Sequence, residues 1–111
     1  MEKVQLSTLR NDKAKLKRIA SLMKTIGHPA RLSIIDLLLE KGKLPVKEIH
    51  EAIDIIHEAI DISQSNASQH LKALELLDVL RSEREGKNIC YSINKMPVRN
   101  LLICVNECDE C

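Results

Sequence analysis

Three observations predict a mainly α-helical fold with a small β-hairpin, in the order α-α-α-α-β-β-α. Apolar side chains recur at helical spacing from about residue 12 to residue 74. Two short alternating runs, Val79 to Arg84 and Asn88 to Ile93, flank Glu85-Gly86-Lys87 and read as a hairpin with glycine at its tip. Met96-Pro97 then opens a last periodic stretch through Val98, Leu101, Leu102 and Val105.

The elements follow in order. Residues 1–10 read as a flexible N-terminus and residues 11–111 as a single domain. Asn11 or Asp12 can cap a basic helix running to about Thr25, with Leu16, Ile19, Ala20, Leu22, Met23 and Ile26 as its apolar stripe. Gly27-His28-Pro29 breaks the chain, and Pro29 opens a second helix whose Leu32, Ile34, Ile35, Leu37, Leu38 and Leu39 are apolar nearly all round, as a buried central helix must be. Gly42 ends it, and Pro45 starts a third helix that reaches Ile62.

Ser63 is suited to cap a fourth helix, Ser63 to Leu74. On such a helix Ala67, Leu71 and Leu74 share one face, while Gln64, Ser65, Ser68, Gln69 and Lys72 turn away from it. The outward side chains can hydrogen-bond base edges or phosphates, and none is bulky enough to block a major groove. Taken alone, the same pattern is equally the wet side of an amphipathic helix. Its neighbours favour the first reading: two helices joined by a tight turn make a helix-turn-helix, and a basic-edged hairpin directly after it makes a winged helix-turn-helix. The expected DNA-binding set is therefore Gln64, Ser65, Ser68 and Gln69 for bases. Ser63, Asn66, His70 and Lys72 would position the helix, with Arg81, Arg84 and Lys87 on the wing. His70 has an alternative, packing beneath the helix.

These residues resemble the ArsR/SmtB family of small bacterial winged-helix repressors. The likeness lies in Ile26 to Leu32 with Ile34 to Leu38, in Ser63 to Leu74, in Leu76 to Leu80, and in Glu85 to Ile93. The family pattern of Pro-x-Arg-Leu-x-Ile and Ser-x-Ser-x-x-Ser-x-His-Leu is met at Pro29, Arg31, Leu32, Ile34, Ser63, Ser65, Ser68, His70 and Leu71. The resemblance implies a homodimeric repressor, paired through its first and last helices, that holds double-stranded DNA at an inverted-repeat operator and releases it when an effector binds.

Composition fits that picture. A chain of 111 residues with 44% apolar content supports one small core, and burying more apolar surface between two copies would add stability. One Tyr and no Trp or Phe argue against a single-stranded nucleic-acid platform, where bases stack on rings. The net charge of +1 is uneven: residues 1–31 carry eight Lys or Arg against Glu2 and Asp12, whereas residues 36–61 carry three basic and seven acidic side chains. No transmembrane-length apolar run exists, and Met1 to Leu6 lacks the apolar core of a signal peptide, so a cytoplasmic protein with reduced thiols and no membrane partner is expected.

The third helix contains a repeated heptad. Ile49 to Ile55 reads Ile-His-Glu-Ala-Ile-Asp-Ile, and Ile56 to Ile62 repeats it residue for residue, where the family has one copy. Seven residues are nearly two helical turns, with a phase error of about 20°, so Ile49, Ile53, Ile56 and Ile60 continue one stripe. Because the second copy abuts Ser63, it is expected to complete the helix-turn-helix, with the first extending the helix by roughly 10 Å at its start. His50, Asp54, His57 and Asp61 also fall along one side, a spacing that could hold a divalent metal, but repetition alone accounts for it.

Cys104, Cys108 and Cys111 are spaced i, i+4 and i+7, which on a continuous helix puts three sulfurs on one side. That donor set suits Zn, Cd or As(III) as effector, or a thiol oxidant, with Cys90 as a further ligand or an ordinary half-buried residue. Cys104 has a packed dimer-interface thiol as its alternative. The family's metal patterns in the third and last helices are absent. A winged-helix protein-interaction module without DNA binding is the rival reading. A thiol enzyme is disfavoured, since neither a strand-turn-helix redox setting nor a nearby histidine accompanies Cys108 and Cys111.

Overall fold

A computed structural model describes residues 6–60, 67–95 and 97–110. The order is α1 (Leu6–Asn11), α2 (Lys13–Ile26), α3 (Pro29–Lys41), β1 (Lys43–Pro45), α4 (Val46–Ile60), α5 (Ala67–Leu76), β2 (Leu80–Glu85), β3 (Asn88–Ile93) and α6 (Val98–Glu110). It is the expected winged helix with two additions. The six-residue α1 lies in the stretch read as a flexible end, and β1 lies where a loop was expected.

Local chemistry sets most of the boundaries. Asp12 caps α2, its carboxylate accepting the Lys15 N–H at 3.0 Å. Gly27 ends α2 by donating its N–H to the Met23 carbonyl, and a Cβ there would stand 3.1 Å from that oxygen. His28 then caps α3: its Nδ1 accepts the Ala30 N–H at 3.1 Å, and Pro29 takes the first helical position, where no N–H is missed. Gly42 stops α3 at φ +87°, a value that L side chains rarely adopt.

The sheet is antiparallel in the order β1-β3-β2. β2 and β3 form the wing, paired from Leu80↔Ile93 to Glu85↔Asn88 across the two-residue turn Gly86-Lys87. Gly86 has φ +63° and Lys87 does not have positive φ, as in a type II′ hairpin turn. β1 escaped the sequence because three residues ending in proline carry no alternation to read. It adds to the far side of β3 as Lys43↔Ser92, Leu44↔Tyr91 and Pro45↔Cys90.

The core gathers on α3, whose Ala30, Ile34, Ile35 and Leu38 are buried, as a helix apolar on most sides requires. Ile49 and Ile53 of α4, Ala67, Leu71 and Leu74 of α5, Val79, Leu80, Tyr91 and Val98 close around it. One part of the heptad expectation does not hold, while the junction of the second copy with Ser63 lies outside the described residues. The first copy, through Ile49 and Ile53, fills the core rather than projecting as an extension. β1 favours this seating: its pairing of Pro45 with Cys90 holds the start of α4 beside the sheet. The second copy continues the α4 backbone to Ile60.

α2 and α6 reach this core through Ile26 and Val98 and leave other apolar residues outside it. Ile26 alone is buried on the described part of α2, while Leu16 and Met23 remain exposed. On α6 Leu101 and Leu102 are half-buried, and Ile103 and Val105 face solvent. Between α2, α3 and α6 runs an open groove lined by Met23, Ile26, Leu32, Leu39, Leu101 and Leu102. Among the described residues no helix is long and apolar enough to cross a membrane.

Candidate nucleic-acid interface

On α5 the inward stripe is Ala67, His70, Leu71 and Leu74, an i, i+3, i+4, i+7 set that packs on α3 and α4. The opposite face presents Gln69 and Lys72 to solvent, with Leu76, 83% exposed, further along the helix. Ser63, Gln64, Ser65 and Asn66, also expected at this surface, lie outside the described residues.

Two expected contact residues have protein partners within the fold. His70 is 5% exposed and lies on the inward side of α5, the position its alternative reading describes. The cause is a pair of partners remote in sequence. Arg31 of α3 donates its Nε–H to His70 Nδ1 at 3.0 Å, and the His28 ring lies 4.6 Å from the His70 ring, centroid to centroid. Arg31 Nη1 also donates to the Thr25 carbonyl at 3.0 Å, so one guanidinium ties the end of α2 to the recognition helix. Ser68 is half-buried, its Oγ 3.2 Å from His50 Nε2 on α4. It joins the two helices of the motif.

The wing divides by face. Side chains alternate along β2, so Arg81, Glu83 and Glu85 share one face and Ser82 and Arg84 the other. On the first face Lys43 of β1 reaches across β3 to Glu83 and Glu85. These carboxylates hold the Lys43 ammonium above the usual lysine range, Glu85 most strongly and Glu83 next. Arg81 donates to Ser92 Oγ at 3.3 Å and lies 3.7 Å from Glu83, so it enters this exposed network rather than standing alone. On the other face Ser82 donates to Glu75 Oε2 of α5 at 2.6 Å, and the Tyr91 hydroxyl donates to Glu75 Oε1 at 3.4 Å. Burial pushes the Tyr91 phenol up, and the Glu75 charge adds to it. Glu75 thereby locks the recognition helix to the wing. Arg84 shares the Ser82 face, and Lys87 is exposed at the tip.

None of Lys43, Glu75, His50 or the Arg31–His70 bond was singled out by sequence reasoning as part of this surface. The joint presence of Arg31 and His70 in the family pattern was the one available signal, and the fold brings them into contact.

A helix-turn-helix domain model matches residues 26–83. The transcriptional repressor PagR of Bacillus anthracis is 34% identical over 78% of this chain and 80% of its own length. This chain belongs to the ArsR/SmtB family of winged-helix regulators. Members with solved structures share its fold: PagR superposes with a TM-score of 0.63 at 32% identity, covering 85% of this chain and 99% of PagR. A homodimeric winged helix-turn-helix DNA-binding domain from Mycobacterium bovis, described as a possible ArsR-family regulator, does so with 0.68 at 28%, over 87% of this chain and 82% of that one. The cadmium resistance transcriptional regulatory protein CadC of Listeria innocua is 29% identical over 76% of this chain and 65% of its own length. Like its family, the protein is a DNA-binding transcriptional regulator.

The candidate effector thiols occupy two places. Cys104 and Cys108 are exposed one turn apart on α6, and Cys111 lies outside the described residues. Cys90 is 8% exposed within β3, on a different element from the α6 thiols. Among the described residues no three His, Cys, Asp or Glu side chains come together as a metal site.

Proposed function

We propose that the protein is a homodimeric repressor that inserts α5 of each subunit into successive major grooves of an inverted-repeat operator, with Arg84 and Lys87 of the wing on the flanking backbone. The observation that carries this reading is the sidedness of α5. Its apolar stripe is spent on the core, while Gln69 and Lys72 stand free of it on the opposite side. Gln69 can pair with a base edge and Lys72 with a phosphate. Ser63, Gln64, Ser65 and Asn66 precede this face in sequence and are assigned to the same contact surface, together with Ser68.

Dimerisation is assigned to α2 and α6, whose apolar residues Leu16, Met23, Ile103 and Val105 are left exposed in the single chain. The effector is assigned to the thiols of α6. Cys104 and Cys108 offer two soft donors on one helical side, with Cys111 three residues on, a set suited to Cd, Zn or As(III), or to oxidation. CadC's name, which speaks of cadmium resistance, supports the metal version. Since α6 lies in the proposed dimer interface, a ligand there can change the angle between the two recognition helices.

A duplex selected from a random pool by the wild-type protein provides the test. It should bind in a mobility-shift assay and be released by Cd, arsenite or a thiol oxidant. Joint replacement of Cys104, Cys108 and Cys111 by Ser should keep binding and abolish release. Recovery of no preferred duplex would contradict the DNA reading, and unaltered release by the serine variant would contradict the effector reading.

A further inference from the structure

We propose that α4 has two registers, seven residues apart, because the repeated heptad lets either copy fill the same core seats. In the register described above, Ile49 and Ile53 are fully buried, Val46 and Ala52 are half-buried, and His50 meets Ser68 of α5. Seven positions further on stand Ile56, Ile60, Ile53, Ala59 and His57, in the same order. Every apolar seat finds an apolar residue, and the Ser68 contact finds another imidazole. The exposed Lys47 and Glu51 map onto Asp54 and Glu58, which water accepts as readily. Glu48 maps onto Ile55, and Ile55 is already 68% exposed in the present register. A slip of one heptad is a translation of roughly 10 Å with a rotation error of about 20°, small enough for the same side of the helix to face α3 and α5.

With equal cores, the balance is set outside the helix. The present register keeps β1 on β3, and Lys43 with Glu83 and Glu85, at the cost of seven additional residues between the seated heptad and α5. In the slipped register those seven residues move ahead of the seat. β1 must then part from β3, while the link into α5 shortens toward the tight turn a helix-turn-helix uses. Three strand pairs and a surface ion network oppose one tight turn, and whatever binds preferentially to either side shifts the ratio. The inference rests on the fold and not on DNA binding, and its readouts need no DNA.

The test compares Ile49→Asp, Ile56→Asp and the double variant by urea unfolding followed by circular dichroism. Each single variant should keep native helix content and unfold cooperatively, because the other copy takes the seat, and the double variant should lose the transition. Loss of the transition in either single variant, or its retention in the double, would overturn the proposal. Trapping provides a second readout. In a background with the native cysteines replaced by serine, Ser68→Cys is combined with His50→Cys or with His57→Cys and treated with a short bis-maleimide. Both pairs should give an intramolecular adduct identified by peptide mass; an adduct from the His50→Cys pair alone would contradict the slip.

Discussion

Glu75 carries two hydrogen bonds that join the recognition helix to the wing, and its effect on Tyr91 can be measured. The Tyr91 phenol is raised above its ordinary value of 10.0, by burial first and the Glu75 carboxylate second. The folded chain therefore holds this proton more tightly than the unfolded chain. The associated stability is fully present below the unfolded value and is lost as pH rises through the folded one. Lys43, also raised, contributes in the same direction, but at a surface site where solvent screens the charges. Urea midpoints should fall above about pH 10 in the wild type, and less steeply in Tyr91→Phe; an unchanged slope would show that Tyr91 is not the responsible group. At this scale the sequence was readable where spacing decides the matter: Ala67, Leu71 and Leu74 inward, Gln69 and Lys72 outward. The same period puts His70 inward, as its alternative reading had it, but names neither its partner nor that of Ser68. Their partners, Arg31 and His50, are 39 and 18 residues away, and no local period records such a pairing.

Helix ends were the most legible elements, because capping chemistry is local. Asp12, Pro29 and Gly42 each mark the boundary that their side chain or backbone predicts. The end of α5 shows what a less obvious residue can do. The Val79 N–H reaches back to the Leu74 carbonyl and the Asp78 N–H to Glu75, closing the helix with Asp78 at φ +59°. Aspartate tolerates that conformation better than branched residues. Asp78→Val should therefore destabilise the fold by about 1–2 kcal/mol in urea unfolding. A loss near zero would mean that the turn relaxes freely. β1 and the seating of the heptad were not legible. The repeat fits the helix period in either position, and tertiary events outside the helix, the pairing of Pro45 with Cys90 among them, favour the one described.

For the whole molecule, the apolar stripe of α2 is divided: Leu22 and Ile26 pack on the core, while Leu16 and Met23 stay exposed among the described residues. Leu16 and Met23 of α2 and Ile103 and Val105 of α6 are exposed together with an adjoining groove, which is the surface assigned to the two-fold. Met23→Glu with Val105→Glu should leave the monomer folded, since both side chains already face water, and should shift sedimentation from dimer to monomer at micromolar concentration. A variant still sedimenting as a dimer would move the interface elsewhere. Losing the dimer should also weaken operator binding, because two half-sites are then no longer held together.

Hydroxyl-radical footprinting on a selected duplex most directly tests whether the outer side of α5 reads DNA as a symmetric pair. The wild type should protect two segments whose centres lie about one helical turn apart. Gln69→Ala should relax the sequence preference within each, and Lys72→Ala should weaken both while lowering the salt dependence by about one phosphate contact. A single protected segment, or protection and preference unchanged in both variants, would contradict the account.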